Sequence, residues 1–152
     1  MEKEFAADPP PGFEQSRTRG PYSTRNGPYF HKVEGARFWH GLRVQHRHCN
    51  AHGSLHGGMM SSFADGLLAT SVSRGTSMRG VTVRMVCDLI GGVDAGAWLE
   101  GSAWVTGRDE NTAFAEAEAF ADGELVFTAS GVFRIFPRQS PRYAASIPAR
   151  LI

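Results

Sequence analysis

Charge of one sign is missing from this 152-residue chain: 16 Lys and Arg stand against 15 Asp and Glu, a formal net charge of +1 at pH 7. Such a balance sets up no field that would steer the chain to nucleic acid or a membrane surface, so an anionic partner must be held locally. Cysteine is scarce. Cys49 and Cys87 show no CxxC or zinc-finger spacing, which argues against a disulfide-stapled secreted scaffold and makes a reducing compartment the default. Long apolar runs are lacking too, and none reaches the ~18 residues that a membrane span requires. The first stretch, MEKEFAADPPPGF, is acidic and proline-rich and has no signal-like apolar core. These absences lead us to expect a soluble cytoplasmic protein with neither nucleic acid nor membrane as partner. Its length suits one domain able to bury a core.

Residues 1–27 hold three consecutive prolines, scattered Arg, Ser and Gly and few aliphatics, the composition of a lead-in segment that need not form core. Phe5, Phe13 and Tyr22 are the anchors with which it could wrap a neighbour. In YFHKVEGARFWHGLRVQHR, β-branched and aromatic residues flank Glu34-Gly35 in the pattern of a hairpin or bulged strand. The spacing then predicts a helix over 57–73. Beyond SRGTSMRG the period changes to two: Val81, Val83, Met85, Cys87 and Leu89 alternate with Thr82, Arg84, Val86 and Asp88, as in a half-buried strand. AWLEGSAWVTG, TAFAEAEAFAD and ELVFTASGVFRIF follow, and four strands in a row predict an antiparallel meander. In the third of the four, Ala113, Ala115, Ala117, Ala119 and Ala121 line one face. An alanine face lets something bulky approach closely, and the helix 57–73 is the candidate. The expected fold class is therefore α+β, one long central helix against a curved antiparallel sheet. The domain is expected to span 28–137, with 138–152 as a peripheral tail.

Met59, Met60, Phe63, Ala64, Leu67, Leu68 and Val72 fall on nearly every side of a helical wheel, so the helix should be largely enclosed. Yet Asp65 sits at its centre. A buried carboxylate needs a partner, a water-filled pocket or a job. It could bond a neighbouring Ser or backbone group, or face solvent at a rim, or serve chemistry. The helix start bears on the choice. Gly57 and Gly58 are expected to expose backbone N–H groups at the positive end of the dipole, where a carbonyl oxygen becoming an oxyanion could be held. The plainer reading of the Gly pair is a tight turn. Donors and a carboxylate together suit hydrolysis of an activated acyl group. Within one chain they cannot meet on one carbonyl, because eight residues of helix separate Gly57 and Asp65 by about 12 Å. If they cooperate, the acid comes from a second subunit whose helix runs antiparallel, at a two-fold interface.

The stretch HCNAHGSLHGGMMSSFADG, followed by GVTVRMVCDLI and a three-strand meander, resembles the hotdog-fold acyl-CoA thioesterases of the PaaI-like group, related to the 4-hydroxybenzoyl-CoA thioesterases. The likeness covers roughly residues 28–137. It implies a hotdog fold and hydrolysis of an acyl-CoA thioester to free acid and CoA, in a homodimer, often paired again into a tetramer, with no metal or other cofactor. By the same resemblance Asn50 and Gly57 would polarise the thioester carbonyl, and Asp65 of the opposite subunit would act as general base or nucleophile. Thr82 would help to place the water, and His56 would line or order the site. Gly66 departs from the Thr, Ser or Ala usual after the acid, and the lead-in is longer than a minimal hotdog needs. It could cap the acyl tunnel or be inert.

Candidates for lining the acyl pocket are Gly58, Met59, Met60, Phe63 and parts of the Trp98–Trp104 strand, all of which could equally be core. Arg108, Arg134 and Arg138 are candidates for the CoA phosphates, or are solvated charges. Two other readings stand beside hydrolysis. One is a hotdog that binds acyl-CoA without turnover. The other is a metal hydrolase, because HRHCNAH gives His46, His48 and His52 within seven residues. Compared with the HxHxDH zinc motif, however, Asn50 replaces the Asp and the last His is displaced by one.

Overall fold

Four Gly and four Ser make GGMMSSFADGLLATSVSRGT a weak helix former by propensity, so the helix that follows His56 rests on the apolar side chains it buries, Met59, Met60, Phe63, Ala64, Leu67, Leu68 and Val72. In a computed structural model, which describes residues 4–17 and 20–138, that helix is α2 (Gly57–Thr76), about one turn longer than the spacing predicts. The His56 side chain caps its start, and Ser77 ends it in the left-handed region at φ 57°. The tail expected over 138–152 lies outside the described residues apart from Arg138.

Around α2 run the other described elements: β1 (Glu14–Gln15), α1 (Pro21–Asn26), β2 (Tyr29–Glu34), β3 (Arg37–Arg43), a 3₁₀ turn (His46–His48), β4 (Arg79–Leu89), β5 (Trp98–Arg108), β6 (Thr112–Ala121) and β7 (Glu124–Phe136). The strands form one antiparallel sheet in the order β1-β2-β3-β5-β6-β7-β4. It curves so that β3 to β7 all touch the helix. This is the hotdog architecture, a long helix wrapped by a sheet. Among the described residues no helix is long and apolar enough to cross a membrane.

Alanine makes the wrapping possible. Ala113, Ala115, Ala117 and Ala119 are at most 3% exposed and belong to the same core as Phe63, Leu67, Leu68 and Val72. A methyl added at Gly101 would lie 2.7 Å from Leu67 Cδ1 and 2.8 Å from the Glu118 carbonyl oxygen, so only glycine lets β5 come this close. Phe114, Glu116 and Phe120 point to the other face. There Phe13 from the N-terminal segment is buried with Phe30 and Trp98 in a second, smaller core. The lead-in thus supplies core as well as a short strand paired with β2.

Three expectations need correction. The four strands after the helix are not one meander: β5, β6 and β7 are, but β4 pairs with β7 at the far end of the sheet. Nor is α2 apolar all round, because Ser61, Ser62, Asp65, Gly66, Ala69 and Thr70 gather on the side opposite the buried one and are half-exposed. Finally, Val81, Val83, Met85, Cys87 and Leu89 do not share a buried face. The register shifts between Thr82 and Arg84, leaving Val83 as the extra residue of a bulge. Gly80 and Thr82 therefore face the helix before the bulge, and Met85 and Cys87 approach the core after it. Val81, Val83 and Leu89 are left 47%, 67% and 50% exposed on a strand with one side unpaired among the described residues.

The alanine face predicts an asymmetry between neighbouring positions. Ala117→Leu should lower the unfolding free energy by about 1–3 kcal/mol through overpacking against α2, whereas Glu116→Thr on the outer face should stay within about 0.5 kcal/mol of the parent. Urea unfolding of the two variants measures both.

Candidate active site

The loop before α2 is built on local hydrogen bonds. Cys49 bridges to Leu55, and the Asn50 N–H donates to the Ser54 carbonyl at 2.8 Å. Asn50 Oδ1 accepts from the His52 N–H at 2.9 Å, which fixes the amide's orientation, and its Nδ2 donates to Ser54 Oγ at 3.1 Å. One Nδ2–H remains for another acceptor. At the helix start the His56 Nδ1 accepts from the Gly58 N–H at 2.9 Å, and the His56 carbonyl accepts from Met59 and Met60. Gly58 is thus not an open donor, and the Gly57 N–H is the first-turn amide with no partner among the described residues. A side chain at Gly57 would press on Leu89 Cδ1, 3.0 Å from where its Cβ would stand.

Two turns further on, Asp65 emerges on the helix side that faces the gap between the two ends of the sheet. The bulge in β4 turns Thr82 toward it, and Thr82 Oγ1 donates to Asp65 Oδ1 at 2.7 Å. The carboxylate lines a cavity of about 1050 Å³ bounded by α2, by Tyr29, His31, Phe38 and His40 of β2 and β3, by Met85 of β4, and by the N-terminal segment. Burial, with Tyr22 adding to it, pushes the Tyr29 hydroxyl up to about 12, so it stays protonated and able to donate. Burial also pushes the Cys87 thiol up, a hydrogen bond from Ser61 opposing the shift.

The candidate residues thus fall into groups. Asp65 and Thr82 are bonded to each other, and Phe63 reaches the cavity with Asp65. Asn50 is held in the preceding loop by His52 and Ser54, and His56, Gly57 and Gly58 stand at the helix start, about two turns from Asp65. Met59 and Met60 are buried in the main core and do not line the cavity. Trp98 packs in the second core, and Trp104 is exposed on the outer face. Arg108 donates to Met78 Sδ at 3.7 Å, Arg134 lies over the Phe136 ring, and Arg138 binds the Ser77 carbonyl at the end of α2. None of the three lines the cavity.

The three histidines serve separate purposes. They sit on a 3₁₀ turn and its following loop, not on a strand. His46 packs against Phe5, His52 is exposed, and His48 is 2% exposed with its Nδ1 accepting from the Gln45 N–H at 3.0 Å. Among the described residues no three His, Cys, Asp or Glu side chains converge as metal ligands. What sequence reasoning missed is the β2–β3 wall. Tyr29, His31, Phe38 and His40 occur at alternate positions of their strands, but that signal becomes readable only once the hairpin register, His31 opposite His40, is known.

Comparison with known proteins gives the class. The family model of the Thioesterase superfamily matches residues 52–128. A Pseudomonas aeruginosa protein named "Putative esterase PA0474" is 36% identical over 129 residues, covering 83% of this chain and 96% of its own. The chain belongs to the thioesterase superfamily, and it shares its fold with solved PaaI proteins. Among solved structures, a variant of the phenylacetic acid degradation protein PaaI from Thermus thermophilus superposes with a TM-score of 0.67 at 23% identity, over 77% of this chain and 100% of that one. The BH2602 protein of Bacillus halodurans, solved with CoA, superposes with a TM-score of 0.60 at 19% identity, over 64% and 70%.

Burial holds the His48 ring neutral, its pKa lowered to about 4, with the Arg47 charge acting in the same direction. Because the unfolded chain takes up this proton near pH 6.5 and the folded one does not, stability is fully present above pH 6.5. It is lost as pH falls toward 4, by up to about 3 kcal/mol. Urea midpoints of wild type should therefore fall more steeply between pH 7 and pH 4.5 than those of His48→Gln. Parallel profiles would contradict the assignment.

Proposed function

We propose that the chain is an acyl-CoA thioesterase whose active site is shared between two subunits. The observation that carries this reading is the Asp65–Thr82 pair, a carboxylate in hydrogen-bond contact with a strand hydroxyl on the wall of a large cavity. Superfamily membership and the CoA held by the Bacillus halodurans protein support a CoA thioester as substrate.

In the mechanism we draw, the thioester carbonyl oxygen accepts from the Gly57 N–H and the spare Asn50 Nδ2–H of one subunit. Both donors are held in place before the substrate arrives, so little reorganisation opposes the build-up of negative charge. Asp65 of the second subunit, with Thr82 orienting the water, removes a proton as the water oxygen attacks the carbonyl carbon. The tetrahedral intermediate then collapses: the C–S bond breaks, the proton returns to the thiolate, and free acid and CoA leave. Every step uses groups of the chain, water and the thioester. Asp65 as nucleophile is the alternative for the same residue, passing through an anhydride that water then opens.

A two-chain site rests on two arguments. Within α2 the donor and the acid stay about 12 Å apart. The second concerns β4, which carries Thr82, ends the sheet, and exposes Val81, Val83, Val86 and Leu89 with Ile90 just beyond it. Apolar side chains along an unpaired strand suit pairing with a second copy of that strand.

Asp65→Asn should fold and dimerise normally while losing at least a hundredfold in thiol release from acyl-CoA esters, and Thr82→Val should lose about tenfold. An Asp65→Asn variant that kept most of its rate would remove Asp65 from the mechanism. Mixing Asn50→Ala with Asp65→Ala chains should restore about a quarter of the wild-type rate, since half the dimers are mixed and each has one intact site. No recovery despite demonstrated subunit exchange would rule out the shared site.

A further inference from the structure

Two parts of the N-terminal segment, residues 13–17 and 20–26, form the outer wall of the cavity beside Asp65. Glu14, Gln15, Ser16, Arg17, Tyr22 and Ser23 all line it. They are fastened to both of its flanks. On one side β1 pairs with β2, and Ser16 Oγ lies 3.0 Å from His31 Nδ1. On the other, the Tyr22 hydroxyl lies 2.5 Å from Ser62 Oγ, three residues before Asp65 on α2. Further back the same stretch is tied down where the Phe5 N–H donates to Gln45 Oε1 at 2.7 Å, Gln45 Nε2 donates to the Phe5 carbonyl, and Arg43 binds the Asp8 carbonyl.

This wall is polar where it faces the space. Ser62 Oγ donates to the Gly58 carbonyl at 2.9 Å, so the Tyr22 O–H donates to Ser62 and the open positions of that pair are acceptors, while Ser16 Oγ keeps an open position beside His31; a ligand hydroxyl can therefore join either pair without breaking it. A saturated tail laid against the same atoms would strip their water and return no hydrogen bond. The wall is also close. Ser62 stands about 4.5 Å along the helix axis from Asp65, so an acyl group whose carbonyl is at the carboxylate meets the wall within a few bonds.

We infer, building on the thioesterase reading above, that the N-terminal segment is the specificity element of this site. It admits compact acyl groups that carry a hydroxyl at their far end, received by Ser16–His31 and Tyr22–Ser62, and it shuts out long saturated ones. A pocket that hydrogen-bonds a substrate hydroxyl discriminates strongly against the analogue lacking it, because its own polar groups are then left unpaired.

The test compares hexanoyl-CoA, 6-hydroxyhexanoyl-CoA and palmitoyl-CoA, measuring both thiol release and calorimetric affinity. It uses wild type, Tyr22→Phe, Ser16→Ala, the double variant and Tyr22→Ala, with Asp65→Asn as control. Wild type should favour the hydroxylated ester over its unsubstituted match by tenfold or more in kcat/KM or in Kd, with palmitoyl-CoA weakest. The double variant should bring the hydroxyl preference to within about threefold of unity, and Tyr22→Ala should raise palmitoyl-CoA most. Tyr22→Phe removes one oxygen only, so it reports on the wall even if Tyr22→Ala fails to fold. Turnover lost in Asp65→Asn but without hydroxyl preference in wild type would overturn this proposal and leave the thioesterase standing. Hydroxyl-selective binding without thiol release would do the reverse, and neither binding nor release would overturn both.

Discussion

A helix and a sheet can approach only as closely as the side chains between them allow, and the contact between α2 and the concave face of the sheet sets everything else in this molecule. Alanines on β6 and the bare backbone at Gly101 bring the strands close enough for the sheet to bend round the helix, with Phe63, Leu67 and Leu68 filling the space between. Larger residues on β6 would hold the sheet off and flatten it. Because the sheet bends without closing, one side of α2 is left for other use. On that side the chain has put Ser, Asp, Gly, Ala and Thr, which are small enough to leave room and polar enough to face water or ligand.

The second determinant is a single extra residue. Without the bulge at Val83, a strand that places Met85 and Cys87 toward the core would turn Thr82 to the other face, since alternation runs strictly by twos. With it, the strand can serve the core at one end and Asp65 at the other. The same bulge leaves valines on the outside of β4. Thus one local irregularity joins the chemistry of the carboxylate to the character of the surface next to it.

Much of this was legible in the sequence. Periods of 3.6 and 2 located α2 and the long strands, and the alternating alanines foretold which strand face the helix would meet. A lone acid among apolar residues singled out Asp65, and resemblance added Thr82. What stayed hidden depends on relations between distant segments. A one-residue bulge leaves no mark in an alternating pattern, so β4 read as a simple half-buried strand. The place of β4 beyond β7 is a matter of topology, not of local period. The β2–β3 lining could not be recognised before the hairpin register was known. Likewise, composition marks the proline-rich start as a segment that need not form core, with Phe13 and Tyr22 only as possible anchors, whereas Phe13 is core and Ser16 and Tyr22 bound the cavity.

The ends of the sheet are unequal, and growth by strand addition depends on that inequality. At one end β2 is partly covered by a two-residue strand that breaks off at once, offering little to pair with. At the other, β4 presents eleven residues. Among the described residues an added strand therefore has one long template per chain, and if two chains used theirs on each other none would be left. Any association through this sheet would end at a pair. A protein with two such edges would face the hazard of open-ended fibres.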